Sequence, residues 1–476
     1  MGRAAALKDF SGVWFTKGNM PIIRALYDTL LYQDDDFKSH PQVAESWQYS
    51  TDGLALTVKL RQGVKFHSGR EITSEDVKYS WKFATDEKVG MGSQLRQLFS
   101  LIKDVATPDK YTAEFKFDKP NPLVFDALDT LALHDQSVTA NIAKTDAGSG
   151  PFKVKSYVPN ADIVMERFDG YWQQGKPYLD GYVVKQIPDS STLVVNLETG
   201  IVEAIEGAPL HEVPRLKAAG YMAVPAAGAQ GMFHFCVNVR KERGEPWTNK
   251  KVRQALNYAL DRERIVKTVL QGTAESTCLM WPKGSWGYFA DLEGKYKYDL
   301  DKAKALLAEA GYANGFEAVL LVSQQHNAPL LPMGQIIQAD LAKIGIKAKI
   351  EDVEATVYVN RYRTGEWDIA VHNYGRCNRD PGTMLAGANV WYTRAENGSL
   401  GFESADYEAW RNEAATILDT EKRKALYRKI QEWVLDECPS MAIAPDQTHY
   451  IYKDYVKDLR FTRETCPYVG EVWLNK

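Results

Sequence analysis

From about residue 248 the sequence alternates helix-period segments with short apolar strands, and this alternation restricts the second half of the chain to an α/β lobe. Val252, Leu256, Ala259, Val266 and Leu270 recur at three-to-four spacing behind Thr248 or Asn249, either of which can cap a helix. Asp299 to Gly311 (DLDKAKALLAEAG) opens on an Asp N-cap, carries an apolar face of Ala303, Leu306, Leu307 and Ala310, and stops at glycine. Met333, Ile336, Ile337, Leu341 and Ile344 make a further helix closed by Gly345, followed by a strand over Lys347 to Val353. A last helix, Glu421 to Asp436, runs into a strand over Met441 to Ala444.

The first 200 residues read differently, as short strands and turns. Leu54, Leu56, Val58 and Leu60 alternate with smaller or polar residues directly after Asp52-Gly53, and Trp47 to Tyr49 precede them, which is a hairpin signal. Thr73 with Asp76 forms a capping-box pattern leading into Val77, Trp81 and Phe83. Further strands are expected over Tyr111 to Phe117, Phe152 to Tyr157 and Ile163 to Met165. No internal repeat or low-complexity linker separates the two halves, so domains pack closely and some are expected to be discontinuous.

A chain of 476 residues has the length of about three domains. Its 58 basic and 62 acidic residues leave a net charge of -4 with no basic run, which argues against nucleic acid as a partner. The uncharged stretch Gly220 to Val239 is broken by Pro225, Gly228, Gln230, Gly231 and His234, so it is no membrane helix. The opening MGRAAALKDF lacks the features of a secretory signal, which fits either a cytosolic protein or a trimmed mature form. The cysteines Cys236, Cys278, Cys377, Cys438 and Cys466 are scattered without a C-x-x-C pair, and metal or redox motifs are poorly supported.

Signatures of catalysis are mostly absent. The eight histidines show no metal-ligand spacing, no nucleophile elbow or P-loop occurs, and Gly90-Met-Gly92 lacks the third glycine of a dinucleotide loop. Neither a cofactor nor a metal is expected. Aromatic residues are plentiful instead, with Trp14, Trp281, Trp286, Tyr374 and Trp391 in loop-like segments that suit either a ligand cleft or a domain interface.

The segment Val43 to Val77, AESWQYSTDGLALTVKLRQGVKFHSGREITSEDV at its heart, resembles the signature of the extracellular solute-binding proteins of family 5, the peptide, nickel and opine receptors of ABC importers. The likeness continues through GSGPF (Gly148 to Phe152), FDGYWQQGKPYLD (Phe168 to Asp180), VRQALNYALDRERIV (Val252 to Val266), YDLDKAKALLAEAGY (Tyr298 to Tyr312) and IIQADLAKIGI (Ile336 to Ile346). The resemblance implies a two-lobed, periplasmic-binding-protein-like α/β fold with an additional β-rich domain. Residues 1–27, 168–247 and 446–476 then form the first lobe, 28–167 the inserted domain and 248–445 the second lobe. Relatives begin with a strand ahead of the segment matching Leu7 to Lys17, and this chain is expected to lack it, which leaves a sheet edge covered by another segment or exposed.

The same resemblance bears on the ligand. The position at which dipeptide-binding relatives hold the peptide amine with an aspartate is Cys377, in YGRCNRDPG, and the position of a carboxylate-binding arginine is Leu331-Pro332. Arg376 and Arg379 flank Cys377 instead, and Arg96 and His134 lie near positions that touch chelates in nickel-binding relatives. Trp14, Met232, Tyr374, Asn378 and Trp391 complete the expected binding set. The expected protein is a monomeric receptor in the periplasm or anchored outside the membrane. It closes around a small ligand and passes it to an ABC permease. Two arginines beside Tyr374 and Trp391 point to an anionic, non-peptide organic acid. The alternatives are an oligopeptide, opine or nickel-chelate receptor and, from another class, a secreted hydrolase. In an oxidising compartment Cys438 and Cys466 are the expected disulfide.

Overall fold

The computed structural model describes residues 1–4, 19–34, 36–86, 93–138, 146–225, 231–375, 377, 379–387, 389–463 and 465–476. The chain divides into two compact units, Met1–Gly228 with Thr448–Lys476, and Ala229–Gln447.

The first unit is built on a mixed seven-stranded sheet, in the order Met222–Pro225, His449–Tyr452, Ala204–Glu206, Gly2–Arg3, Gly181–Gln186, Asp162–Arg167 and Phe152–Val158. Gly2–Arg3 corrects one expectation from the sequence. It runs parallel to both neighbours in the interior of the sheet, pairing Gly2 with Lys185 on one side and Ile205 on the other. The signal was invisible because two residues are too few for any period. A strand this short is held by its neighbours, and Gly2 fits because a Cβ there meets Leu193 Cδ1 at 2.9 Å.

An antiparallel four-stranded sheet, Ala44–Tyr49, Ala55–Leu60, Thr112–Lys116 and Asp104–Asp109, supplies the β-rich part of this unit. Its first hairpin turns where Asp52 Oδ1 accepts from the Leu54 N–H (3.0 Å) and the Ser50 hydroxyl (2.6 Å). Leu56, Val58 and Leu60 are buried, while Leu54 stays in the exposed turn. Helix Ser74–Thr85 starts with the expected capping box of Thr73 and Asp76 and buries Val77 and Trp81, leaving Phe83 half-buried.

The second unit centres on a five-stranded sheet in the order Lys347–Asp352, Glu317–Val322, Ile369–Gly375, Gly231–Val237 and Ser440–Asp446. The stretch 168–247, grouped above with the first lobe, thus contributes its last strand to this unit. Glu317–Val322 is parallel to both neighbours, as helix-connected strands are, and Gly231–Val237 is antiparallel to both of its own. The stripe from Val252 to Leu270 forms two helices, Lys250–Tyr258 and Arg262–Thr268, because Asp261 accepts from the Arg264 N–H (3.0 Å) and starts a new N-terminus. Asn249 is the cap of the first. Asp299 caps Leu300–Glu309, and Gly311 leaves that helix at φ +87°. Leu330–Ala342 and Thr420–Glu437 complete the helices foreseen from periodicity.

The expected Cys438–Cys466 disulfide does not form. All five cysteines are buried thiols, and Cys438 Sγ is enclosed by its own helix end. It donates to the Leu435 carbonyl (3.2 Å) and accepts from Asn257 Nδ2 (3.4 Å). Among the described residues no helix is long and apolar enough to cross a membrane.

Candidate functional site

The alternation of Gly231–Val237 and Ile369–Gly375 sorts their side chains onto two faces of the second unit's sheet. Met232 pairs with Tyr374, His234 with His372 and Cys236 with Ala370, so these side chains share one face. Helix Ala355–Thr364 adds Tyr358 and Tyr362 to that face, and Trp391 closes over it.

The result is a buried, hydrogen-bonded aromatic cluster. Tyr374 Oη lies 2.7 Å from both Cys236 Sγ and Tyr362 Oη. His234 Nδ1 is 2.9 Å from the Ser440 hydroxyl, and Tyr358 Oη bonds His372 Nδ1 at 2.7 Å. Trp391 meets the rings of Tyr374 and His234 edge-on at 5.7 and 5.9 Å. Burial drives every titratable member toward neutrality: His234 falls to about 3, with Arg262 adding to the effect, Cys236 rises to about 11, and His372 drops well below the usual imidazole range. The cluster is therefore an uncharged scaffold. Tyr374 has its hydroxyl committed within it and offers a neighbour only its ring and backbone.

Beyond the strand end the chain turns through Cys377 and Arg379 into helix Pro381–Gly387. Cys377 is fully buried, its thiol directed at the Tyr374 carbonyl (3.5 Å) and Met384 Sδ (3.5 Å). Burial, reinforced by the nearby charge of Asp446, pushes this thiol far up, so it stays protonated. Arg379 is fully buried as well. Asp380 anchors the turn by accepting from the Gly382 N–H (2.9 Å) and from Arg423 Nη1 (2.6 Å), and Arg423 lies over the Trp286 ring.

The opposite face carries polar groups at the strand ends. Asp446 and Gly375 both pair with Gly231, so the three form one row across the sheet. Asp446 Oδ2 accepts from Asn373 Nδ2 (2.9 Å) and Asn327 Nδ2 (3.1 Å).

The structure thus brings together Met232, Tyr374, Cys377 and Trp391, with Arg379 two residues along the same turn. Arg376, Asn378 and Trp14 lie outside the described residues. Arg96, half-buried on helix Ser93–Ser100, and His134 belong to the first unit. His134 is buried against the rings of Tyr27 (4.9 Å) and Phe83 (5.1 Å), which lowers it to about 4. Sequence reasoning missed His234, Asn373 and Asp446. A usable signal for Asp446 existed: it is the first charge after the apolar strand MAIAP, at the point where a strand end meets solvent.

The chain matches the family described as bacterial extracellular solute-binding proteins, family 5, middle, over residues 38–392. It is 29% identical to the heme-binding protein A of Haemophilus influenzae over 433 residues, 85% of this chain and 78% of that protein. It is also 29% identical to the dipeptide-binding protein of Escherichia coli K12 over 466 residues, covering 91% and 85%. Among solved structures, the periplasmic binding protein AgaA of A. tumefaciens R10 in complex with agropinic acid aligns with a TM-score of 0.79 at 25% identity, covering 100% of this chain and 98% of that one.

Proposed function

Because the chain belongs to the bacterial extracellular solute-binding proteins of family 5, and is a solute-binding receptor of the kind that serves ABC importers, we propose that its ligand is a small, non-peptide organic acid. The observation that carries this reading is Cys377. At the position where the resemblance to dipeptide receptors places an amine-holding aspartate, this chain has a buried thiol kept neutral by its surroundings. A neutral thiol supplies no counter-charge to a peptide ammonium, and an unpaired buried charge costs several kcal/mol. Arg379 follows two residues on, and the rings of Tyr374 and Trp391 pack edge-to-face at 5.7 Å; in this reading they are the charge and the apolar surface that the ligand meets on binding. AgaA, bound to agropinic acid, shows that a protein of this fold can take such a ligand.

In this reading the solute is held between two lobes, outside the cytoplasmic membrane, and the loaded receptor docks on an ABC permease. Binding selects the closed state through contacts that the open state lacks. The peptide-type reading stands second, favoured by the match to the dipeptide-binding protein along 91% of the chain. A thermal-shift screen of organic acids against dipeptides separates the two. Ligand at 100 times its dissociation constant adds about 2.7 kcal/mol, enough to raise the melting temperature visibly. Stabilisation by dipeptides and by no organic acid overturns the proposal.

A further inference from the structure

Glu317–Val322 and Ile369–Gly375 run parallel, Leu320 beside Ile369 and Leu321 beside Ala370, so the loop that leaves the first strand starts level with the last residues of the second. That brings His326 to His372. The two lie far apart in the sequence, and no ligand spacing announces them. His326 is exposed, with its backbone N–H held by Ser323 Oγ (3.1 Å). Its ring lies 5.8 Å from that of His372 and within 12° of parallel to it. His372 is half-buried, and its ring stacks on Tyr362 at 4.1 Å.

Tyr358 decides which nitrogen of His372 carries the proton. The tyrosine hydroxyl has one hydrogen, donated to the Val371 carbonyl (2.7 Å), so its oxygen accepts from His372 Nδ1–H (2.7 Å). Nε2 then carries the lone pair, and it takes no hydrogen bond among the described residues. A histidine tied down through one ring nitrogen presents the other to a metal in a fixed direction, and here a second imidazole stands beside it. We propose that His372 Nε2 and His326 bind a divalent transition-metal ion of the kind imidazole suits, Cu2+, Ni2+ or Zn2+. Bonds of about 2.0–2.1 Å to each nitrogen put the two nitrogens within roughly 4 Å of each other. Rotation of the exposed His326 side chain closes that gap while its backbone stays pinned. Among the described residues no third histidine, cysteine or carboxylate completes the group, so water fills the remaining positions. Tyr358 is a positioning residue, acting through His372. The site goes beyond the organic-acid reading and does not depend on it.

The test titrates the full chain with CuCl2 in calorimetry and reads the complex by electron paramagnetic resonance, in which each coordinated imidazole nitrogen splits the copper signal. The expected result is one tightly held Cu2+ with a two-nitrogen signature, displaced by ZnCl2 and untouched by MgCl2, a hard ion that prefers oxygen. His326→Ala changes an exposed side chain and leaves the fold alone. It should weaken Cu2+ binding by more than about tenfold and reduce the signature to one nitrogen. Tyr358→Phe keeps both imidazoles and frees the His372 ring, so the two-nitrogen signature persists while affinity falls by about tenfold. His211→Ala, at an exposed histidine of the first unit, serves as the control and should change nothing. No bound Cu2+, a one-nitrogen signature in the unsubstituted protein, unchanged affinity in His326→Ala, or an equal loss in His211→Ala overturns the site. Unchanged affinity in Tyr358→Phe overturns the positioning role.

Discussion

Asp28 places a carboxyl in the interior of the first unit with two neutral donors and, among the described residues, no cation bonded to it. Its oxygens accept from Trp172 Nε1 (3.0 Å) and Tyr171 Oη (3.2 Å). The basic side chains around it are committed elsewhere: Arg24 pairs with Asp129 (2.7 Å), and His67 bridges Asp146 (2.6 Å) and the Gly150 carbonyl (2.9 Å). Burial outweighs the donors and raises Asp28 from 3.8 to about 7. A carboxyl whose value is higher in the folded chain than in the unfolded one favours folding while both forms are protonated. That contribution fades as pH rises from about 4 and is fully lost above about 7. The span of the shift caps the effect at roughly 4 kcal/mol. Asp28→Asn is therefore expected to raise the melting temperature at pH 8.5 relative to the unsubstituted protein, with a gain that shrinks toward pH 5. Calorimetry across that range checks it, and a gain independent of pH contradicts the assignment.

The element that Asp28 touches explains why one short motif was so visible in the sequence. Asp28 N–H donates to Ser149 Oγ (3.3 Å), and Ser149 sits in GSGPF, whose two glycines lie against the end of helix Met20–Leu26. A Cβ on Gly148 would fall 1.8 Å from the Leu26 carbonyl oxygen, and one on Gly150 would fall 2.5 Å from that of Ala25. Backbone atoms cannot yield as a flexible side chain can, so Gly148→Ala is expected to destabilise the chain by roughly 3 kcal/mol. Gly63→Ala, where nothing lies within 4 Å but φ is +77°, should cost only the strain of that conformation, about 1 kcal/mol. Urea unfolding of both variants compares them, and equal losses would remove the packing argument. Elements with a period, a cap and a stop were legible in this way: the capped helices at Thr73, Asn249 and Asp299 and the hairpin at Asp52 all form as read. The Gly2–Arg3 strand was not, because its conformation is imposed by the strands on either side. At the candidate site the family likeness singled out the segment after Tyr374, of which Cys377 and Arg379 are described. The Asp446 pairing was not, since it joins residues more than seventy positions apart through sheet register alone.

At the scale of the whole molecule the chain passes between its two units twice, at Gly228/Ala229 and at Gln447/Thr448. In the first unit the strands next to these crossings are neighbours, with Pro225 paired to His449, and in the second unit Gly231 is paired to Asp446. Each unit therefore sends out its two connections side by side from paired strands. In proteins that close by hinges, the backbone change falls on a few residues at element ends while the packed cores stay intact. The proposed capture of a solute calls for closure of that kind. Ligand at saturating concentration is expected to lower the radius of gyration in X-ray scattering and to slow hydrogen exchange at Tyr374 and Cys377. Two cores that stay intact should exchange as before, so protection confined to the strand ends and crossings distinguishes closure from general stiffening. A tightly bound solute that changes neither the radius nor exchange at these residues is incompatible with capture by closure.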